Sequence, residues 1–411
     1  MTGKKVLFSV FLLAFISSCL IFVFFGYNAI WTFWNVPTMS PHFADTRAIT
    51  SGAEAHALGY DPLYNNVRDP WQRPMNLTHL WQILFYFGLN QSHTTLIGSI
   101  FIILFFLSPF IFIKTLPTST ACVLSFAFIS PAVMLGVERA TPDLFLFFLL
   151  ALGLRIGYTS TIAETFFVLF ASFLKLFPIF GIFFLLKESK FRFWGLFTLA
   201  CTVFLIYIIF TFNDVKQMVH VTPRGTEYSY GVNVFWMRLE ELTQSPHLKN
   251  ISVIIQSLGK KLSYLTLITI FIVSGLSVFR KRDINLLENE QHIDAFRLGA
   301  GVYIGTFMFG NNWDYRLIFL IFTIPQIVSW IKKKINPYSL ICCFILPAII
   351  LSFWYLIVKQ ILGSNLAFLI DQFSKWVVFS GLVYLLLASL PSWLSSYFYR
   401  LIDINRSKVS A

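Results

Sequence analysis

Residues 6–27, VLFSVFLLAFISSCLIFVFFGY, form a nearly unbroken apolar run. A helix needs roughly 20 such residues to cross a bilayer. Further apolar runs follow at 95–113, 117–137, 143–157, 161–174, 176–187, 194–212, 262–279, 295–310, 315–331, 337–357 and 372–389. Inside lipid no water satisfies the backbone N–H and C=O groups, so runs of this kind must be helical. Hydrophobic residues make up 57% of the chain and charged residues only 12%, which excludes a soluble domain of ordinary composition. The expectation is an all-α polytopic membrane protein with about 12 transmembrane helices. No internal repeat, low-complexity tract or linker divides it, so residues 1–411 read as one integral-membrane domain. The run at 6–27 follows Lys4 and Lys5 as a signal peptide would, but its apolar core is too long and no small-residue cleavage site follows. It reads as a retained first span. The pair 161–174 and 176–187 is short for crossing and reads as a helical hairpin broken at Pro178.

A net charge of +12 raises the question of nucleic acid, and its placement answers it. Lys4, Lys5, Lys114, Arg155, Lys187, Lys190, Arg192, Arg280, Lys281, Arg282, Lys332, Lys333, Lys334, Arg400, Arg406 and Lys408 fall at alternate ends of the runs. That is the positive-inside pattern, with the lipid bilayer as partner and no nucleic acid. It puts both termini in the cytoplasm and two long loops, 28–94 and 213–261, on the outer side. Cys19, Cys122, Cys201, Cys342 and Cys343 all lie within apolar runs and imply no disulfide framework. Three triplets, beginning at Asn76, Asn90 and Asn250, match the glycosylation acceptor pattern at the level expected by chance.

Ionisable residues near a bilayer are expensive, so those that the topology brings to one level carry the functional signal. The first group is FADTRAITSGAEAHALGYDPLY. Its apolar spacing predicts an amphipathic helix over roughly 45–58, stopped by Gly59 and Asp61-Pro62, with Asp45 at its start and Arg47 beside it. The second is GVERATPDLF, with Glu138, Arg139 and Asp143; the third is FLKLFP, with Lys175 between two apolar half-helices. The fourth, HVTPRGTEYSYGVNVFW, carries His220, Arg224, Tyr228 and Tyr230, and the fifth, GNNWDYRLIFL, carries Asp314 and Arg316. Singly, each reads as well as a helix cap, a polar turn, a snorkelling lysine or a solvated loop. Together they mix carboxylates with cations, as the lining of a phosphate-binding cavity at the lipid boundary would. Phosphate-loop, dinucleotide-binding, HExxH and CxxC motifs are all missing, and no Asp-x-Asp occurs. Arginines and lysines, with no metal or other cofactor, are therefore expected to neutralise phosphate charge. Glu288 and Glu290 read as a solvated cytoplasmic pair.

A first span leading into FADTRAITSGAEAHALGYDPLY, the turn GVERATPDLFLFFL, and the Lys175–Pro178 break LKLFP together resemble integral-membrane GT-C glycosyltransferases. The likeness is to glycosyltransferase family 87, the polyprenol-phosphate-mannose-dependent mannosyltransferases, and covers most of the chain in topology through short motifs. It implies a GT-C-like fold and transfer of a sugar, mannose or another hexose, from a polyprenyl-phosphate donor to a glycan or glycolipid acceptor on the outer face of a bacterial plasma membrane, with inversion. Asp45 matches the family's first-loop Asp, the general base, and Lys175 its KxxP lysine. Glu138 and Arg139 fall where the family has a less charged polar turn. The chemistry suits the residues independently: an acceptor hydroxyl must lose a proton to one carboxylate, while a phosphate leaves as a stable anion that cations hold. Arg139, Lys175 and Arg316 are the expected phosphate contacts. Arg47, Glu138, Asp143, His220, Arg224, Tyr228, Tyr230 and Asp314 complete the substrate-binding set. A membrane transporter or lipid-linked sugar flippase is the alternative; it would favour midplane charges on broken helices and internal repeats.

Overall fold

The computed structural model describes residues 2–243, 249–279, 291–334 and 336–399. The expected cytoplasmic cations Arg280, Lys281, Arg282, Arg400, Arg406 and Lys408, with Glu288 and Glu290, lie outside them, as do the side chains of 250–252. Regular structure among the described residues is almost wholly helical. The exception is one antiparallel pair, β1 (Ser229–Tyr230) and β2 (Asn312–Trp313), with Ser229 opposite Trp313 and Tyr230 opposite Asn312.

The chain forms two compact units. Unit 1 comprises Met1–Ile179, Thr198–Pro223 and Tyr315–Ile318. It contains α1 (Gly3–Phe25), α2 (Tyr27–Thr32), α3 (Ala44–Ala57), α4 (Thr94–Phe112), α5 (Thr118–Phe128), α6 (Pro131–Arg139), α7 (Pro142–Ile156) and α8 (Thr161–Leu174). It also contains the later part of α9 (Lys190–Phe210) and α10 (Phe212–Val221). Here α7 packs between α4 and α8, and Phe105 of α4 meets Phe128 at 5.2 Å and Phe147 at 5.0 Å. Unit 2 comprises Phe180–Phe197, Arg224–Asp314 and Phe319–Ala411. Its helices are α11 (Val234–Leu242), α12 (Lys249–Phe279), α13 (Ile293–Phe309), α14 (Ile324–Lys333), α15 (Tyr338–Phe353), α16 (Tyr355–Leu362) and α17 (Ser364–Ala388), with α17 packed against α12, α13, α15 and α16. Gly305 of α13 admits the ring of Phe180, which a Cβ there would meet at 2.1 Å.

Six helical stretches are long and apolar enough to cross a membrane: Gly3–Phe25, Gln91–Phe112, Lys190–Phe210, Ser257–Phe279, Asp314–Lys333 and Ser364–Ala388. Two more arise if α5–α6, bent by 53°, and α15–α16, bent by 75°, each count as one span. The chain thus has the makings of a multi-pass membrane protein, with six to eight candidate spans among the described residues where twelve were expected. The difference lies in four segments. Those at 143–157, 161–174, 176–187 and 295–310 form α7, α8, a 3-10 helix (Phe177–Lys187) and α13, of 15, 14, 11 and 17 residues. At about 1.5 Å per residue the three α-helices fall short of a hydrocarbon layer of about 30 Å. Enclosure explains their apolar sequences: 14 of the 17 residues of α13 are buried. By contrast α1 faces outward along most of its length, with Phe15, Phe22, Phe24 and Phe25 exposed.

Candidate functional site

The predicted first-loop helix forms as α3, Ala44–Ala57, and its N-terminus is fixed by unusual local geometry. Phe43, the capping residue, is left-handed at φ 59° and ψ 49°, a conformation costly for a bulky side chain. Gly98 of α4 makes room for it: a Cβ there would lie 2.7 Å from the Phe43 ring and 2.9 Å from Ala140. Ala140, which ends α6, is also left-handed, at φ 44°. Thr46 Oγ1 donates to Ala140 O at 2.5 Å, and Arg73 Nη2 donates to Ala44 O at 2.7 Å. Arg73 is in turn clamped by buried Asp69, through Nε at 3.1 Å and Nη2 at 3.0 Å.

Asp45 is therefore held in the first turn of α3, where backbone N–H groups favour an anion. Its carboxylate is half-buried and makes no hydrogen bond or ion pair with any described residue. It interacts electrostatically with Glu138, Lys175 and Tyr315.

Lys175 follows directly on the end of α8, in extended conformation at φ −160° and ψ 119°. Pro178 has no backbone N–H to bond back to Leu174 O, and the chain breaks at Lys175–Leu176 before resuming as the 3-10 helix. A helix end leaves carbonyls unpaired. Here Phe173 O accepts from Thr78 Oγ1 at 2.5 Å and from the Tyr207 hydroxyl at 3.0 Å. Leu174 O accepts from Thr78 Oγ1 and from Trp81 Nε1, both at 2.8 Å. The break is a finished structure, and Lys175 projects from a fixed point.

Its partner is Asp143, second residue of α7 behind Pro142, which suits the first helical position. The fully buried carboxylate accepts Lys175 Nζ at 2.5 Å on Oδ1 and Arg316 Nε at 3.2 Å on Oδ2. Arg316 lies on the first turn of the 3-10 helix Asp314–Thr323, its guanidinium 4.9 Å from the Phe177 ring. Two cations share one anion, leaving a formal charge of +1. Both keep an opening to their surroundings, with 12% of the Lys175 side chain and 15% of the Arg316 side chain exposed.

Glu138 and Arg139 do different work. Glu138 Oε1 accepts the Met39 N–H at 2.8 Å, its Oε2 lies 3.2 Å from Arg139 Nε, and Arg139 Nη2 donates to Pro37 O at 3.3 Å. They tie down the segment leading into α3. Arg139 Nη1, buried and without a hydrogen-bond partner among the described residues, is a spare donor. Nearby, His42 stacks on Tyr27 at 3.5 Å, and burial, then the Arg47 charge, lowers its pKa. Tyr315 was not singled out from the sequence. Its hydroxyl has no hydrogen-bond partner among the described residues, and it interacts electrostatically with Asp45, Arg316, Asp143 and Arg139.

The other expected residues lie elsewhere. Arg47 turns to His42 O, at 3.2 Å from Nη2, and to Gln91 Oε1, at 3.0 Å from Nη1, while Gln91 is held by Glu54. It fastens α3 to the start of α4. His220, on α10, and Arg224, in unit 2, are exposed and form no hydrogen bond or ion pair with described residues. Tyr228, Tyr230 and Asp314 belong to unit 2. The Tyr228 hydroxyl accepts from Lys359 Nζ at 3.2 Å, the buried Tyr230 hydroxyl pairs with Thr306 at 2.9 Å, and Asp314 accepts from Lys375 at 2.7 Å. Of the twelve expected site residues, Asp45, Glu138, Arg139, Asp143, Lys175 and Arg316 come together in unit 1, with Tyr315 added. No group of three or more His, Cys, Asp or Glu side chains suited to a metal ion occurs among the described residues. In comparisons with known proteins, no family model matches the chain and no curated sequence is significantly similar to it.

Proposed function

We propose that the chain is an inverting membrane glycosyltransferase of the GT-C type, which moves a hexose such as mannose from a polyprenyl-phosphate carrier to an acceptor hydroxyl. The observation that carries this reading is the carboxylate of Asp45, unpartnered among the described residues and interacting electrostatically with Lys175, one of two cations bridged by Asp143. Asp45 takes the proton from the acceptor hydroxyl as its oxygen bonds to the anomeric carbon. The bond from that carbon to the phosphate oxygen breaks, and the electron pair leaves with the polyprenyl phosphate. The negative charge gained there is met by Lys175 and Arg316, with Arg139 Nη1 as a further donor. One base carboxylate suffices for inversion; a retaining reaction would need a second as nucleophile. In this reading the site faces the outer side of a bacterial plasma membrane, both termini are cytoplasmic, and no metal takes part.

The test is to incubate detergent-solubilised protein with a panel of labelled polyprenyl-phosphate hexoses and a lipid or glycan acceptor mixture, then identify labelled product. Transfer from at least one donor in chelator-containing buffer is expected. Two bent helix pairs and fully buried ionisable groups on α17 favour transport as a second reading. Translocation of a lipid-linked sugar in sealed vesicles, with no product in detergent across the panel, would establish that alternative instead.

A further inference from the structure

Unit 2 carries a second charged cluster, and nothing in the proposed transfer reaction uses it. On α17, Asp371 and Lys375 stand one helical turn apart, and Lys375 is completely buried. Its ammonium donates to Asp371 Oδ2 at 2.6 Å, to Asp314 Oδ1 at 2.7 Å and to Ser229 O at 3.0 Å. Those three bonds use every donor an ammonium has. Gln372 Nε2 adds bonds to Ser229 O and Asp371 Oδ2, both at 3.2 Å.

Three oxygens are left over. Asp314 Oδ2, Asp371 Oδ1 and the Tyr355 hydroxyl are all buried and have no hydrogen-bond partner among the described residues. Tyr355, 2% exposed on α16, interacts electrostatically with both carboxylates, and its ring lies 5.6 Å from Lys375 Nζ. Charge is left over as well: two carboxylates against one ammonium sum to −1. Among the described residues the neighbouring ions do not offset it. Glu227 pairs with Lys359 at 2.7 Å and with Arg238 at 3.2 Å, while Arg238 also holds Glu241 at 3.2 Å, so two anions and two cations cancel. The phenols of Tyr303, Tyr228 and Tyr230 bring no charge, and Tyr303 donates to Lys375 O at 3.0 Å. An uncompensated charge and orphaned oxygens around one buried ammonium are both strongly unfavourable.

We infer that this cluster binds one further unit of positive charge, a proton or an alkali cation, on the oxygens that Lys375 leaves open. A proton on either carboxyl turns an orphaned acceptor into a donor. An alkali cation takes the same oxygens as ligands. Both bring the cluster to neutrality.

The experiment uses the full chain purified in detergent. Thermal unfolding is followed at fixed pH and ionic strength in sodium, potassium and N-methylglucamine chlorides. Infrared spectra are recorded in parallel in H2O and D2O. If the charge is an alkali cation, the unfolding midpoint is higher in one alkali salt than in N-methylglucamine, and Asp371→Asn loses the difference. If it is a proton, the wild type shows a carboxylic-acid C=O band, shifted by D2O, that weakens in both Asp314→Asn and Asp371→Asn. Should those variants not fold, Tyr355→Phe removes one open oxygen alone and must shift the band or reduce the salt effect. The inference is overturned by a wild type with no salt preference and no such band, or by responses unchanged in all of these variants.

Discussion

Replacing Asp45 with Asn separates chemistry from architecture. The substitution is isosteric, and the carboxylate it removes has no hydrogen bond or ion pair to lose. What folding forfeits is the attraction of an anion to the start of α3, worth about 0.3–1 kcal/mol, and to Lys175 across a partly open site, worth about as much. What the proposed transfer forfeits is its base, worth typically 10²–10⁴ in rate. At 1.36 kcal/mol per factor of ten, that is about 3–5 kcal/mol of transition-state stabilisation. The activity loss should therefore exceed the stability loss several-fold in free energy. The assay measures initial rates of transfer from the labelled donor identified by the panel, with thermal unfolding of the same preparation alongside. Turnover falling at least a hundredfold while the unfolding midpoint barely moves is the expected result. Turnover close to that of the wild type in folded Asp45→Asn protein would refute the assignment of the base.

Asp143→Asn should behave in the opposite way, because it strands two largely buried cations. Removing one partner of a buried pair costs about 3–5 kcal/mol, so a large fall in unfolding temperature is expected, read by thermal scanning fluorimetry. Gly98→Ala should overpack the contact with Phe43 and Ala140 and destabilise by about 1–3 kcal/mol, with increased protease sensitivity of the first loop. Glu227 supplies a pH dependence. Burial alone would raise its pKa, but Lys359 and Arg238 outweigh it, and the folded carboxyl lies below its ordinary value. Its stabilisation is present above the unfolded carboxylate range and is lost as pH falls through the folded value. Thermal unfolding midpoints measured across the acidic range should accordingly depend less on pH in Glu227→Gln than in the wild type.

Local signals were legible where local physics decides the outcome. The helix expected over 45–58 forms at 44–57, because its apolar spacing and Gly59 both act within a few residues of it. A helix break was legible in LKLFP, though it falls at Lys175–Leu176, ahead of Pro178. The span count was less so, since an apolar stretch of 14 to 17 residues reads the same whether it meets lipid or other helices. Distant partners were not visible. Thr78, Trp81 and Tyr207 close the end of α8 from far along the chain, and Lys375 meets Asp314 across 61 positions and Ser229 across 146. One signal did stand in the sequence unused: Asp371 and Lys375, spaced one turn apart beside an apolar run, mark an intrahelical pair that lipid would not tolerate unsatisfied.

The bare backbone at Gly98 has a mechanical side. Phe43 and Ala140 rest on the same hydrogen-only patch of α4, and each is followed or preceded within two residues by an acidic side chain, Asp45 and Glu138. Those two stretches share a single bearing point. A larger residue at this one point of α4 would press on the backbone that carries both carboxylates.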